Sequence, residues 1–210
     1  MDICCGFAII LVAVKELPPD WLDRTMQTAR AVASRIVGVR MLVMGSQLQF
    51  RNAHEIGPNG ARKWIQLPYA SRDAQILPTI VGEVQPLPLG EWEQLVHGIA
   101  ITGLVELEGN PYYPAFHQPT WYLDIDLGDS RKRVKCYGAG AKTVLTEEEG
   151  ETNADVWAFG CAVGAVEQFG QRVPWNERLE DLPVAPPPGQ LDDLLDIGGP
   201  WVERSADWIP

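Results

Sequence analysis

Apolar residues run without a break from Ile3 to Val14, and Pro18-Pro19 closes the stretch. A continuous aliphatic and β-branched run of this kind predicts a strand buried on both faces. Next, LPPDWLDRTMQTARAVASRIVGV places Leu22, Met26, Ala29, Ala33 and Ile36 at helical spacing. Asp20 and Asp23 suit the positive end of that helix, and Gly38 is a plausible stop. VRMLVMGSQLQF then returns to strand character, so the first part of the chain predicts a β-α-β element.

Between residues 52 and 90, Gly57, Pro58, Asn59, Gly60, Pro68, Pro78, Pro86 and Pro88 interrupt short apolar pieces. This pattern predicts a loop-rich connector or short edge strands. From Trp92 to Tyr137 the pattern reads as β. HGIAITGLVELEG alternates through Ile99, Ile101 and Leu104, and TWYLDIDL alternates strictly, with Trp121, Leu123, Ile125 and Leu127 on one face. Gly128-Asp129-Ser130 turns the chain into RKRVKCY, a hairpin signal.

The stretch ADVWAFGCAVGAVEQFGQRVPW predicts a helix. Thr152 and Asp155 fit a capping box, Val156, Phe159, Val163 and Val166 form an apolar stripe, and Gly170 lies where a stop belongs. Asp155, Trp157, Phe159, Gly160, Glu167, Gly170, Pro174 and Trp175 together resemble a large-lobe helix of protein kinases, which implies a structural helix. The sequence has no G-x-G-x-x-G loop, H-R-D or D-F-G to hold ATP and metal, so the resemblance implies no kinase activity. Beyond it, PPP at 186–188 predicts an extended tail carrying Trp201 and Trp208 among acids.

These elements make an α+β protein: an N-terminal β-α-β element over 1–63, a Pro/Gly-rich connector over 64–91, a mainly antiparallel β-rich half with one buried helix over 92–177, and an extended acidic tail over 178–210. Two features of the N-terminal run argue against a leader or an anchor. Asp2 stands where a leader would be basic, and the run is too short to span a bilayer. Cys4, Cys5, Cys136 and Cys161 show no C-x-x-C spacing. Reduced core thiols and a cytoplasmic location are therefore expected.

Net charge is −11, distributed as +3 over residues 1–63, −6 over 64–150 and −8 over 151–210. An acidic C-terminal half repels phosphates and suits a basic partner. No glycine-rich loop follows the first strand, no G-x-S-x-G is present, and His54, His97 and His117 are scattered, so no cofactor is expected. Asp124, Asp126 and Asp129 are the most enzyme-like acids, yet Arg131, Arg133 and Lys135 follow at the same period and can pair with them across strands.

The expected function is a non-enzymatic acidic protein that engages a protein partner in an inhibitory, immunity-type or assembly role. Its expected contact residues are Tyr112, Tyr113, Phe116 and His117 in an aromatic loop, and Trp201, Trp208, Asp192, Asp193 and Asp196 in the tail. One alternative is a nucleic-acid-binding barrel of OB type using Arg131, Lys132, Arg133 and Lys135. Another is a metal-assisted hydrolase using Asp124, Asp126 and His117.

Overall fold

A computed structural model describes residues 21–44, 51–67, 76–111, 119–137 and 154–183. They form three α-helices and seven strands in the order α1 (Trp21–Ala33), β1 (Gly38–Met44), β2 (Arg51–Gly57), β3 (Gly60–Gln66), β4 (Ile76–Val84), α2 (Glu91–Ala100), β5 (Thr120–Asp126), β6 (Arg131–Tyr137), α3 (Ala154–Arg172) and β7 (Asn176–Pro183). The strands join one sheet in the order β6-β5-β1-β2-β3-β4-β7, and every neighbouring pair is antiparallel. The class is α+β. Among the described residues no helix is long and apolar enough to cross a membrane.

Alternation along the strands assigns the two faces. Val39, Met41 and Val43 of β1 lie opposite Ile125, Leu123 and Trp121 of β5, and these six belong to one buried core with α1, α2 and α3. The helices therefore cover one side of the sheet, in the sequence α1 against α2 and α2 against α3. Phe159 and Phe169 of α3 are fully buried there, and each such side chain contributes about 1.5–3 kcal/mol through burial. Gly98 of α2 lets α3 approach, since a Cβ at that position would stand 3.3 Å from Ala165 Cβ.

Local signals account for several elements. Ala29, Ala33 and Ile36 are buried as the α1 spacing predicts. The β5–β6 hairpin turns at Gly128, whose φ is +82° and whose N–H donates to Asp126 Oδ1 at 2.9 Å. The kinase-like stretch is the helix α3, with Val156, Phe159, Val163 and Val166 all buried. It runs past Gly170 to Arg172, and Pro174 follows.

Three expectations are corrected. HGIAITGLVELEG is not a strand: its first part closes α2, and a 3-10 turn spans Leu104–Glu106. The burial of Leu95, Val96, Ile99 and Ala100 follows a helical face, while Ile101 is exposed; this stripe overrides the short alternation. The strands described within residues 52–90 are neither connector nor edge, because β2, β3 and β4 each have a strand on both sides. Gly57, Pro58 and Gly60 serve a turn, where Pro58 and Asn59 alone link β2 to β3. Finally, the segment expected to open the tail at 178 is part of β7, paired throughout with β4.

The OB-type barrel is not the architecture of β5 and β6, which belong to the seven-stranded sheet. The predicted first strand over 3–14 and the tail from 184 onward lie outside the described residues.

Candidate functional site

The face of the sheet opposite the helices carries a row of alternating charges. Arg133, Asp124, Arg40, Glu55, Arg62 and Glu83 stand directly opposite one another across β6, β5, β1, β2, β3 and β4. Arg133 Nε lies 3.6 Å from Asp124, Arg40 lies 3.7 Å from Asp124 and 3.5 Å from Glu55, and Arg62 Nε lies 3.5 Å from Glu83. Arg178 of β7 extends the row, 3.4 Å from Glu83. Unlike charges placed directly opposite stabilise a strand pair, and a slip by one residue would move every one of them to the wrong face. The row is thus a register device.

Asp124 is its most enclosed member, with a side chain only 2% exposed and a third guanidinium, that of Arg131, at 3.8 Å. Burial raises its pKa above the ordinary carboxylate value, against the opposing pull of Arg131, Arg133 and Arg40. A shallow depression beside it is lined by Gly38, Arg40, Glu55, Asp124, Asp126 and Arg131. Three cations on one carboxylate oppose a divalent metal there. Among the described residues no group of three or more His, Cys, Asp or Glu side chains is arranged to hold a metal ion.

The basic strand does not act as one stripe. Arg131, Arg133 and Lys135 share the face of Asp124, while Lys132 falls on the helix side, where its Nζ donates to the Leu107 carbonyl. Arg131 and Arg133 are both engaged with Asp124. Cys136 is buried, Cys161 is partly so, and neither is in a disulfide.

On the helix side, beyond the C-terminal end of α3, a second cluster forms. Lys63 Nζ lies 2.6 Å from Glu177 Oε1 and 4.7 Å from the centre of the Trp175 ring, an ion pair and a cation–π contact sharing one ammonium. Trp175 donates its indole N–H to the Gly170 carbonyl at 2.6 Å and meets His54 and Phe169 edge-on at 6.2 and 6.4 Å. His54 Nδ1 is buried with no hydrogen-bond partner among the described residues. Burial, and then the charge of Lys63, lower the His54 pKa from 6.5 to about 4.

Lys63 reaches Trp175 across Gly82, its cross-strand partner. A Cβ at Gly82 would stand 2.8 Å from Lys63 Cε, 2.9 Å from its Cγ and 3.3 Å from Trp175 Cε3. Gly82→Val is therefore expected to expel the lysine and destabilise the fold by about 1–3 kcal/mol, despite the β-branched side chain. A urea-unfolding midpoint unchanged from the wild type would refute this.

On the helix side of β3 and β4, Ala61 and Val84 belong to the core with the helices, but a second apolar row lies farther along the strands. Ile65, Ile80 and Leu179 stand opposite one another in a single apolar row. None of them belongs to the core beneath the helices; Ile65 and Ile80 are half-buried, and Leu179 is 64% exposed. Glu177 and Asp181 flank Leu179 on the same face of β7, and both are exposed. Arg178, on the opposite face, is held by Glu83 and Glu180. This margin joins an exposed apolar residue to acids on a rigid strand.

The aromatic-loop residues Tyr112, Tyr113, Phe116 and His117, and the tail residues Asp192, Asp193, Asp196, Trp201 and Trp208, lie outside the described residues. Leu179, Glu177 and Asp181 were not among the expected contact residues. In NERLEDLP, charges occupy both strand faces, and nothing local distinguishes this from a solvated turn. Only the pairing with β4 reveals the margin. No known family model matches this chain, and a search of curated proteins finds no similar sequence.

Proposed function

We propose that this chain is an acidic binding protein that engages a protein partner, in an inhibitory, immunity-type or assembly role, through the β7 margin. The supporting observation is Leu179, 64% exposed at the end of an apolar row and bracketed by Glu177 and Asp181. An exposed aliphatic residue on a paired strand gains by being covered, and a ring of acids selects what covers it. The net charge of −11 favours a cationic partner surface and speeds its approach.

A photoreactive benzoylphenylalanine at position 179 of the full chain tests this in extracts of the native source. A discrete cross-linked protein is expected from position 179 and not from position 168, an exposed site on α3. The product should disappear when unlabelled wild type competes and persist when a Leu179→Glu competitor is used. The same set of products from both positions would overturn the proposal.

A further inference from the structure

We propose that the outer edge of β7 accepts an added strand, supplied by an extended segment of the partner that presents a cation, an aliphatic residue and a second cation in turn on one of its faces. This rests on the protein-binding reading above and specifies its mode and the chemistry of the partner.

β7 is a terminal strand in the order of the described sheet. Its pairing with β4 runs without a bulge from Glu83↔Asn176 to Ile76↔Pro183. In such a ladder alternate residues turn their N–H and C=O groups away from the partner strand, so among the described residues the outer side of β7 carries a row of donors and acceptors with no neighbouring strand. Natural edges are usually blunted by lysine, an internal proline or a bulge. Asn176-Glu177-Arg178-Leu179-Glu180-Asp181-Leu182 has no lysine, and the one proline of β7, Pro183, stands at its last position. Its middle residue is the exposed Leu179.

What guards this edge is negative charge. Glu177, Glu180 and Asp181 outnumber Arg178, which is held by Glu83 and Glu180; Glu177 lies 2.6 Å from Lys63, so an incoming cation shares that carboxylate or displaces the lysine from it. A second copy of this chain would bring the same excess of negative charge to the contact, and like charges opposite one another destabilise a strand pair. A cationic strand meets the opposite condition. On the helix side of the sheet the order is Glu177, Leu179, Asp181, because alternate residues share a face. An antiparallel partner therefore fits when it presents a cation, an aliphatic residue and a second cation at every other position. Main-chain hydrogen bonds then supply affinity, and the alternate side chains supply selectivity.

The probe is a fluorescein-labelled peptide, Thr-Lys-Thr-Val-Thr-Arg-Thr, titrated with the full chain and followed by anisotropy. It is expected to bind, and a counterpart with glutamate at both cationic positions is expected not to. The double variant Glu177→Gln/Asp181→Asn should weaken binding about tenfold or more, whereas Glu106→Gln/Glu108→Gln, which alters two exposed acids elsewhere, should leave it within about twofold. Of two peptides N-methylated at odd or at even positions, only one should lose affinity, because an added strand turns one edge toward β7.

Equal weakening by the two double variants, or full affinity in both methylated peptides, would overturn strand addition. So would the absence of peptide binding while residue 179 still cross-links a partner, which leaves the protein-binding reading standing. A dimer in sedimentation, dissociated by Leu179→Glu and indifferent to the peptide, would assign the edge to a second copy instead.

Discussion

Replacing Asp124 by alanine is expected to destabilise the fold by about 3–5 kcal/mol, the usual cost of removing one partner from a buried ionic cluster. The side chain is 2% exposed and faces Arg40, Arg131 and Arg133 within 4 Å. Once it is gone, Arg131 and Arg133 can turn to water, being 40% and 34% exposed. Arg40, 15% exposed, cannot do so as easily, although Glu55 stays 3.5 Å away. The cost therefore concentrates on Arg40 and on the space left behind. Arg133→Ala should cost below about 1 kcal/mol, since a partly exposed member of the same row is being removed. Urea unfolding at neutral pH checks both variants, and an Asp124→Ala midpoint close to that of the wild type would show that the row contributes little.

The raised pKa of Asp124 has its own sign. A folded state that binds this proton more tightly than the unfolded chain gains stability from the group at low pH. That gain is lost as pH rises from the ordinary carboxylate value through the raised one. Asp124→Asn should flatten this component, and comparing wild-type and variant stability across the acid range isolates it.

Acid should act on His54 in the opposite direction, and the effect is the second largest expected. The fold lowers its pKa from 6.5 to about 4, so the neutral ring is the form that packs. Its full contribution is present above pH 6.5. Between 6.5 and about 4 the unfolded chain takes up the proton and the folded one does not, so stability falls with pH. The displacement corresponds to about 3 kcal/mol in all. Lys63 adds charge repulsion from the neighbouring strand, while Trp175, itself packed against Phe169, meets the ring with apolar surface. Neither offers the imidazolium an acceptor.

The measurement is urea unfolding of the wild type and His54→Gln between pH 7.5 and 4.5. Both proteins share all their other titrating groups, so their difference reports His54. The wild type is expected to lose most of that 3 kcal/mol relative to the variant as pH falls. Parallel stability curves would place the proton elsewhere. A protonated His54 would also disturb Trp175, so the tryptophan fluorescence of the folded wild type should hold steady over most of this interval and change only as pH falls through about 4.

Local periodicity made a definite part of this protein legible. The helical spacing of Ala29, Ala33 and Ile36 and the stripe from Val156 to Val166 identify α1 and α3. The strict alternation of Trp121 to Leu127, followed by Gly128, identifies the β5–β6 hairpin and puts Asp124 opposite Arg133. Each of these signals lies within a few turns or within one hairpin. Where a segment carried two periodicities, as Trp92–Leu104 does, the sequence alone favoured the strand, and the burial of Leu95, Val96 and Ile99 in the helix layer settled it the other way.

The order of the strands belongs to another level. Alternation says which side chains share a face, and says nothing about which strand lies alongside. Placing β1 between β5 and β2 brings Arg40 against both Asp124 and Glu55. Placing β7 beside β4 turns an unremarkable run of acids into a margin with Leu179 exposed upon it. The sequence by itself determined the α+β class and the helices and hairpin whose apolar faces repeat locally. Tertiary structure alone decided the charge row, the enclosure of His54 and the place of β7 at the end of the described sheet, because each depends on the burial of apolar faces that lie far apart in the chain.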